Sequence, residues 1–413
     1  MKAAGIIAEY NPLHEGHTFQ LAQARKRYGA DAVVVFMSGD FTQRGAPAVL
    51  DKYVRARLAT ECGADLVLML PELCSTASAE YFATAGVQAV IRSRICDFLL
   101  FGSENDDIEA FTEVAKILLL EPPLYRETLQ DALKSGLSFP LARERAIRKL
   151  IDTKEFFLSS PNNILGLEYV KALLQAGSDI TPVAMKRIGA DYHDAALPND
   201  AGHFVSASAI RNVLKCGDAS VVALKLREHL SPRLLNPLLA AVRDNELLDR
   251  DDASLLLHEA LLKTDDYSVF ADCSGELSNR IRKARNEFLQ WSALNDRLKT
   301  KELTYSRISR VLLHILLDFT NEDYLRAKKL SYVPYFRVLS FNDVGERLLS
   351  LMDERSSVPV IVGPREAEEK LSGDALLLFR KDIYAADLYR AIKTNKSGKI
   401  YPNEYTRKFE RVD

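Results

Sequence analysis

Several common signals are missing from this chain, and each absence excludes something. The five cysteines, Cys62, Cys74, Cys96, Cys216 and Cys273, are scattered over 413 residues with no C-x-x-C pair. An odd, unpatterned count argues against a disulfide scaffold and suits the reducing cytoplasm. Long apolar runs are absent: stretches such as 66–73 fall far short of a bilayer span. The amino terminus begins directly with an apolar, strand-like run, which leaves no room for a signal peptide. A soluble, cytoplasmic protein without a membrane partner is the expectation. No single charge sign dominates, because 55 Lys+Arg face 57 Asp+Glu for a net charge of −2. That excludes a uniformly basic surface and leaves room for local basic patches. There is no dinucleotide glycine fingerprint and no Walker lysine loop, so any phosphate must be handled another way.

What is present organises itself around residues 5–17. An apolar run at 3–8 reads as a buried parallel strand, closed by Tyr10-Asn11-Pro12. His14-Glu15-Gly16-His17 follows, and 18–27 reads as an amphipathic helix. Two imidazoles thus arrive where a first strand ends and a first helix begins. Open α/β sheets bind ligands there, and a helix start offers free N–H groups and positive dipole to phosphate. Gly16 is expected to let a nucleotide approach the backbone. One His at a helix start is ordinarily a cap or a surface residue. The zinc-protease arrangement is His-Glu-x-x-His, whereas here Gly16 intervenes and no cysteine or carboxylate cluster completes a metal site. Strand, Asn-Pro turn, His-x-Gly-His and helix together point to nucleotidyl-transfer chemistry.

Further apolar runs at 31–37, 65–71 and 97–102 read as strands, alternating with helices at 51–62 and 78–93. Continuous rather than alternating apolar strands imply a parallel sheet covered on both faces. The expected fold is therefore α/β, a Rossmann-like doubly wound sheet over 1–217 with a helical insertion at about 108–158. A helix at 164–176 capped by Ser160-Pro161-Asn162-Asn163, a strand at 180–187 and a polar loop at 189–194 follow. Ser206, Ser208 and Arg211 open a helix and suggest a second phosphate contact, against plain N-capping. Residues 218–413 read as mainly helical, with a small α/β segment near 335–339 and 358–362. This half carries a basic run that includes Arg280, Lys283, Lys299, Lys301, Arg307 and Arg310, ordinarily a solvated helix face and otherwise a grip on nucleic acid. Phe288, Trp291 and Tyr305 lie among these and either stack on bases or belong to the core. The tail adds Lys393, Lys396, Lys399, Arg407, Lys408 and Arg411. Two basic stretches in a neutral protein point modestly to a polyanionic partner.

These residues together resemble the tRNA(Met) cytidine acetate ligases. The resemblance rests on 5–17, Met-Ser-Gly-x-Phe-x-Gln-Arg-Gly at 37–45, 101–105, Pro161-Asn162-Asn163, 186–190, Tyr192-His193-Asp194 and 206–211. It continues through Lys299-Thr300-Lys301, 307–317 and 337–342, and so covers essentially the whole chain. Asp40 departs from the pattern, where Asn or His is expected. A carboxylate beside a triphosphate is unfavourable, so this side chain is expected to point away or to meet Mg²⁺. The resemblance implies ATP and acetate as substrates, acetyl-adenylate and pyrophosphate as products, and N4 of the wobble cytidine of elongator tRNA(Met) as acceptor. It places nucleotide contacts on Ile7, Ala8, Glu9, Tyr10, Asn11, Pro12, Leu13, His14, Glu15, Gly16, His17, Thr18, Phe19 and Gln20. Gly102, Asn162 and Arg187 complete the set, with Asn163 a further candidate.

In that chemistry His14 and His17 donate to the α-phosphate and bridging oxygens. Ser206, Ser208 and Arg211 hold the β- and γ-phosphates, bridged by Mg²⁺, with no protein side chain singled out as its ligand. The alternative is a small-molecule adenylyltransferase of the same superfamily, which leaves about two hundred residues without a purpose. A nucleotide-sensing RNA-binding protein is a third reading, disfavoured by intact His14, His17 and Arg211. An aminoacyl-tRNA synthetase would carry a Lys-Met-Ser-Lys-Ser loop, which is missing.

Overall fold

The computed structural model describes residues 1–151, 158, 160–188, 204–409 and 411–412. The polar loop from Gly189 to Asp194 lies outside them. Nine strands occur among the described residues: β1 (Ala3–Ala8), β2 (Ala32–Met37), β3 (Phe41–Thr42), β4 (Ala46–Pro47), β5 (Leu66–Met69), β6 (Phe98–Ser103), β7 (Thr181–Lys186), β8 (Phe336–Phe341) and β9 (Val360–Ile361). Seven form one sheet in the order β7-β6-β1-β2-β5-β8-β9, and β3 and β4 make a separate hairpin.

The strands are apolar throughout because both faces of the sheet are covered. Val33, Val35 and Met37 enter one apolar cluster with helices Glu15–Lys26, Lys52–Glu61 and Ala207–Leu214. Val34 and Phe36 point the other way, into a cluster with helices Ala79–Ser93, Ile108–Leu120 and Pro161–Ala176. That two-residue alternation on strands buried on both sides is the doubly wound arrangement. The helices between 108 and 148 lie on the crossover from β6 to β7, and the first of them buries Phe111 and Val114 in the sheet's second cluster.

Within the seven-stranded sheet all pairings are parallel except one, where β8 runs antiparallel to β5. β8 and β9 are the two short strands expected late in the chain, and they extend the first sheet. A boundary at 217/218 therefore divides the sequence without dividing the sheet. A third apolar cluster, mainly helical, gathers Leu257, Trp291, Val311, Leu312 and Phe319.

Candidate active site

After β1 the chain turns sharply through Tyr10, whose φ is 50°, and a cis Asn11-Pro12 bond. The turn delivers His14 as the N-cap of helix Glu15–Lys26. His14 Nδ1 accepts the Gly16 N–H at 3.1 Å, and His17 Nδ1 accepts the His14 N–H at 3.3 Å. This is a reciprocal capping box in which two imidazoles replace the usual hydroxyl and carboxylate. Their rings stack at 3.8 Å with 26° between planes. Burial, with the Arg187 and Arg211 cations adding to it, pushes the His14 pKa down to about 3. Burial, then His14 and Arg187, holds His17 well below its ordinary value. Both rings are thus neutral, and since each Nδ1 is an acceptor, each ring carries its proton on Nε2. A Cβ on Gly16 would stand 3.0 Å from His14 Cε1. Gly16 is needed first for the fold-back of the His14 ring, ahead of any approach by a nucleotide.

The two rings line a small cleft with Gly16, Phe19, Gln20, Gly102, Arg187 and Ser206. Its walls are the start of the first helix and the carboxyl ends of β6 and β7. Met185, Ile188, Phe204 and Val205 complete the lining. Sequence reasoning did not single these out, although the ring of Phe204 lies 5.5 Å from that of Phe19. Their signal was only an apolar residue next to a motif. Ser206 caps helix Ala207–Leu214, its Oγ accepting the Ala209 N–H at 3.1 Å and sharing a 2.9 Å hydrogen bond with Ser208 Oγ. Capping is therefore what Ser206 does in this structure, at the edge of the cleft. Arg211 Nη1 donates to the Asn11 carbonyl at 2.5 Å and ties this helix to the Asn-Pro turn.

The remaining expected nucleotide residues stand behind the cleft. Ile7 and Ala8 end β1, and Pro12 and Leu13 are buried under the turn. Glu9 Oε1 accepts the Gln43 N–H, Asn11 Oδ1 accepts that of Val49, and Glu15 Oε1 accepts that of Ser231. The Tyr10 ring packs 4.8 Å from that of His17, and the Thr18 hydroxyl is buried. Asn162 is not part of the cleft wall. Its Nδ2 donates to Glu104 Oε1 at 2.6 Å, while Asn163 Oδ1 accepts from the N–H groups of Glu104 and Asn105. The pair shapes the loop that follows β6.

Known proteins share this arrangement. The profile of the HIGH Nucleotidyl Transferase family matches residues 1–403. A tRNA(Met) cytidine acetate ligase of Acetivibrio thermocellus is 35% identical over 98% of this chain and 99% of its own length. One from Thermoanaerobacter is 36% identical over 96% of this chain and 97% of its own. This chain belongs to the tRNA(Met) cytidine acetate ligase family. The crystal structure of apo Thermotoga maritima TmcAL superimposes with a TM-score of 0.86 at 30% identity, covering 96% of both chains. The same protein bound with alpha-thio ATP gives 0.84. Because the likeness spans both halves, the helical half belongs to the family fold.

In this member of the ligase family, the Met-Ser-Gly-x-Phe-x-Gln-Arg-Gly loop is explained by what grips it. Arg55, fully buried, donates from Nε to the Leu50 carbonyl at 2.9 Å and from Nη1 to that of Glu9 at 2.6 Å. The same guanidinium reaches the carbonyls of Ser38 and Gly39, so one fork ties the ends of β1 and β2. Glu72 accepts the N–H groups of Asp40 and Phe41, and a Cβ on Gly39 would run into its carboxylate. Asp40 points away from the cleft: Oδ1 accepts the Lys52 N–H at 2.8 Å and Oδ2 pairs with Lys52 Nζ at 2.5 Å. Lys52 is shared with Glu404 at 2.8 Å, and Glu404 also holds Tyr53 and Arg337. Gly45, at φ 65°, abuts the backbone of Ser309 and Arg310, and Ser309 Oγ donates to its carbonyl at 2.7 Å. An arginine and a glutamate inside helices read as surface in a sequence, which is why Arg55 and Glu72 were missed.

The basic run divides in two. Arg307 and Arg310 both pair with Asp272 at 3.3 Å, and Arg280 Nη2 donates to the Leu298 carbonyl at 3.1 Å. Lys283, Lys299 and Lys301 are exposed. Trp291 is fully buried in the helical core, Phe288 packs on His258, and Tyr305 lies beneath Arg250. Tail cations are also engaged, with Lys393 on Asp51 and Glu246, Lys396 on Asp252 and Lys399 on Asp244. Among the described residues no helix is long and apolar enough to cross a membrane.

Proposed function

We propose that this chain uses ATP to activate acetate as acetyl-adenylate, then acetylates N4 of the wobble cytidine of elongator tRNA(Met). The observation that carries the reading is the pair of neutral imidazoles at the start of the first helix, each with Nδ1 spent on a backbone N–H. Each then has one Nε2–H left to donate in a cleft at the strand ends of an α/β sheet.

In the first step an acetate oxygen attacks the α-phosphorus, and the bond to the bridging oxygen of pyrophosphate breaks. Negative charge grows on that oxygen and on the α-phosphoryl group. His14 and His17 meet it with fixed hydrogen bonds, while the helix dipole and Arg187 add positive potential. Neutral donors suit this role because they need not surrender a proton. Phe19 and Phe204 offer apolar surface for the nucleoside, and Gly102 leaves the end of β6 open. In the second step the exocyclic amine attacks the acyl carbon, AMP departs with the acyl–oxygen bond pair, and the amine loses a proton. Residues 1–217 supply the chemistry in this reading. Residues 218–413 grip the RNA, with Lys283, Lys299 and Lys301 as the outward contacts, while Arg280, Arg307 and Arg310 are half-buried and held by Leu298 and Asp272.

The protein side chains do not fit a Mg²⁺ cage. Asp40 is spent on Lys52, and Glu9 and Glu15 each accept a backbone N–H, from Gln43 and Ser231. No step above passes through a metal.

The test is incorporation of labelled acetate into a bulk tRNA pool with ATP, for wild type and His17→Ala. Label in one tRNA with wild type only supports the ligase. ATP consumption with a phosphorylated metabolite and no label in RNA replaces it by the small-molecule adenylyltransferase.

A further inference from the structure

A cavity of about 630 Å³ neighbours the histidine cleft, reached across the Ser206–Ser208 pair at the start of helix Ala207–Leu214. Its size lies within the roughly 300–1,000 Å³ usual for small-ligand sites. One wall is a single face of a helix: Ser208, Arg211, Asn212 and Lys215 recur at spacings of three and four. The β3–β4 hairpin contributes Arg44 and Pro47 opposite, and Leu247 and Leu248 add apolar surface. Arg250 and Lys396 bring the cations of the lining to five, Lys396 being paired with Asp252, against the carboxylates of Asp249 and Asp251. Both carboxylates are engaged by protein donors. Asp249 accepts the Asp251 N–H, and Asp251 takes the N–H and hydroxyl of Ser292 at 2.7 Å each. The lining therefore combines apolar surface, amide hydrogen-bonding groups and surplus positive charge.

We propose that this cavity receives the acceptor nucleotide of the RNA, with its base against the Pro47–Leu247–Leu248 surface and its phosphates on Arg44 and Lys215. A splayed single-stranded nucleotide needs this combination: an apolar seat for a ring, amide groups for its edge and cations for its backbone. The polyphosphate end of ATP would use the cations and leave the apolar seat idle. Ser206 of the cleft and Ser208 of the cavity share a 2.9 Å hydrogen bond, so a base seated in the cavity lies beside an acyl group made in the histidine cleft. This inference rests on the ligase reading.

The experiment separates the two half-reactions in the full chain. Acetate-dependent exchange of labelled pyrophosphate into ATP, without RNA, reads activation; acetylation of an unmodified elongator tRNA(Met) transcript reads transfer. The variants are Leu247→Trp, which fills the cavity, and Lys215→Glu, which reverses an exposed charge and spares the core. Both are expected to lose at least tenfold in kcat/KM for the transcript with exchange near the wild-type rate. Cytidine 5′-monophosphate is expected to compete with the transcript and to leave exchange unaffected. If exchange falls together with transfer in Lys215→Glu, the cavity serves the ATP polyphosphate and the proposal is wrong. Unchanged transfer in both variants also overturns it. Absence of exchange and transfer in wild type instead sinks the ligase reading itself.

Discussion

The histidine cleft and the basic helical run both stood out in the sequence, and they fold into opposite situations. At the cleft, polar atoms are committed to the backbone in a way that leaves one defined donor per imidazole facing the site. Along 280–310 the arginines are committed in a way that leaves less to offer, since Arg307 and Arg310 share Asp272 and Arg280 holds a carbonyl. Fixed spacing next to a strand end specifies geometry. A count of positive charges does not, because the carboxylate that neutralises them comes from elsewhere in the chain. Of the six cations singled out in the run, the exposed ones are Lys283, Lys299 and Lys301, whose flexible stems suit non-specific phosphate contact.

The contrast can be broken most forcefully at the scaffold of the cleft. Arg55→Ala removes a buried fork from the carbonyls of Glu9, Ser38, Gly39 and Leu50, and is expected to cost about 4 kcal/mol in denaturant unfolding. A loss under about 1 kcal/mol would mean that those loop ends hold themselves. Next comes His17→Ala, expected to lower acetate-dependent pyrophosphate exchange by ~100-fold or more, or about 3 kcal/mol, with the melting temperature little changed. Near-normal turnover would remove His17 from the mechanism.

In the basic run the expected effects are smaller and divide by residue. Replacing Lys283, Lys299 and Lys301 together by Glu should leave stability within about 0.5 kcal/mol and reduce the salt slope of tRNA binding by about 3. Arg310→Ala should do the reverse, costing on the order of 1 kcal/mol of stability with little change in that slope. If the arginine carries the slope instead, RNA displaces Asp272 on binding.

A pH dependence has one origin in each region. His14 has its pKa pushed down to about 3 and His314 to about 4, mainly by burial. Their ordinary value is 6.5, so the unfolded chain takes up protons first as acid is added. The stability from each neutral ring is complete above pH 6.5 and is lost as pH falls toward those lower values. Melting temperatures from pH 7 to pH 4 should decline for wild type and more shallowly for His314→Gln. An equal slope would show that other groups set the acid limit.

Much of this could be read in one dimension. Strands at 3–8, 31–37, 65–71 and 97–102 announced themselves because a sheet buried on both faces demands unbroken apolar runs. His14 and His17 were legible because the Asn-Pro turn and the glycine between them constrain the backbone locally. Asp40 was legible only as an anomaly, and its partner Lys52 supplies the reason it is tolerated. Arg55 and Glu72 were invisible because their function is tertiary: each reaches loops distant in sequence, and nothing in their neighbours marks them as buried. The cavity beside Arg211 was equally hidden, being assembled from five separate parts of the chain.

Glu404, near the carboxyl terminus, closes the Lys52–Asp40 network, and β8 covers the edge of β5. During synthesis those partners leave the ribosome well after the residues they hold. A nascent chain halted at residue 217 carries Leu66–Met69 as an open edge strand. Its Lys52–Asp40 pair still waits for Glu404. Open edges recruit other strands. The order of translation thus sets a waiting period for the first half, which ends only when Glu404 and β8 are free to fold.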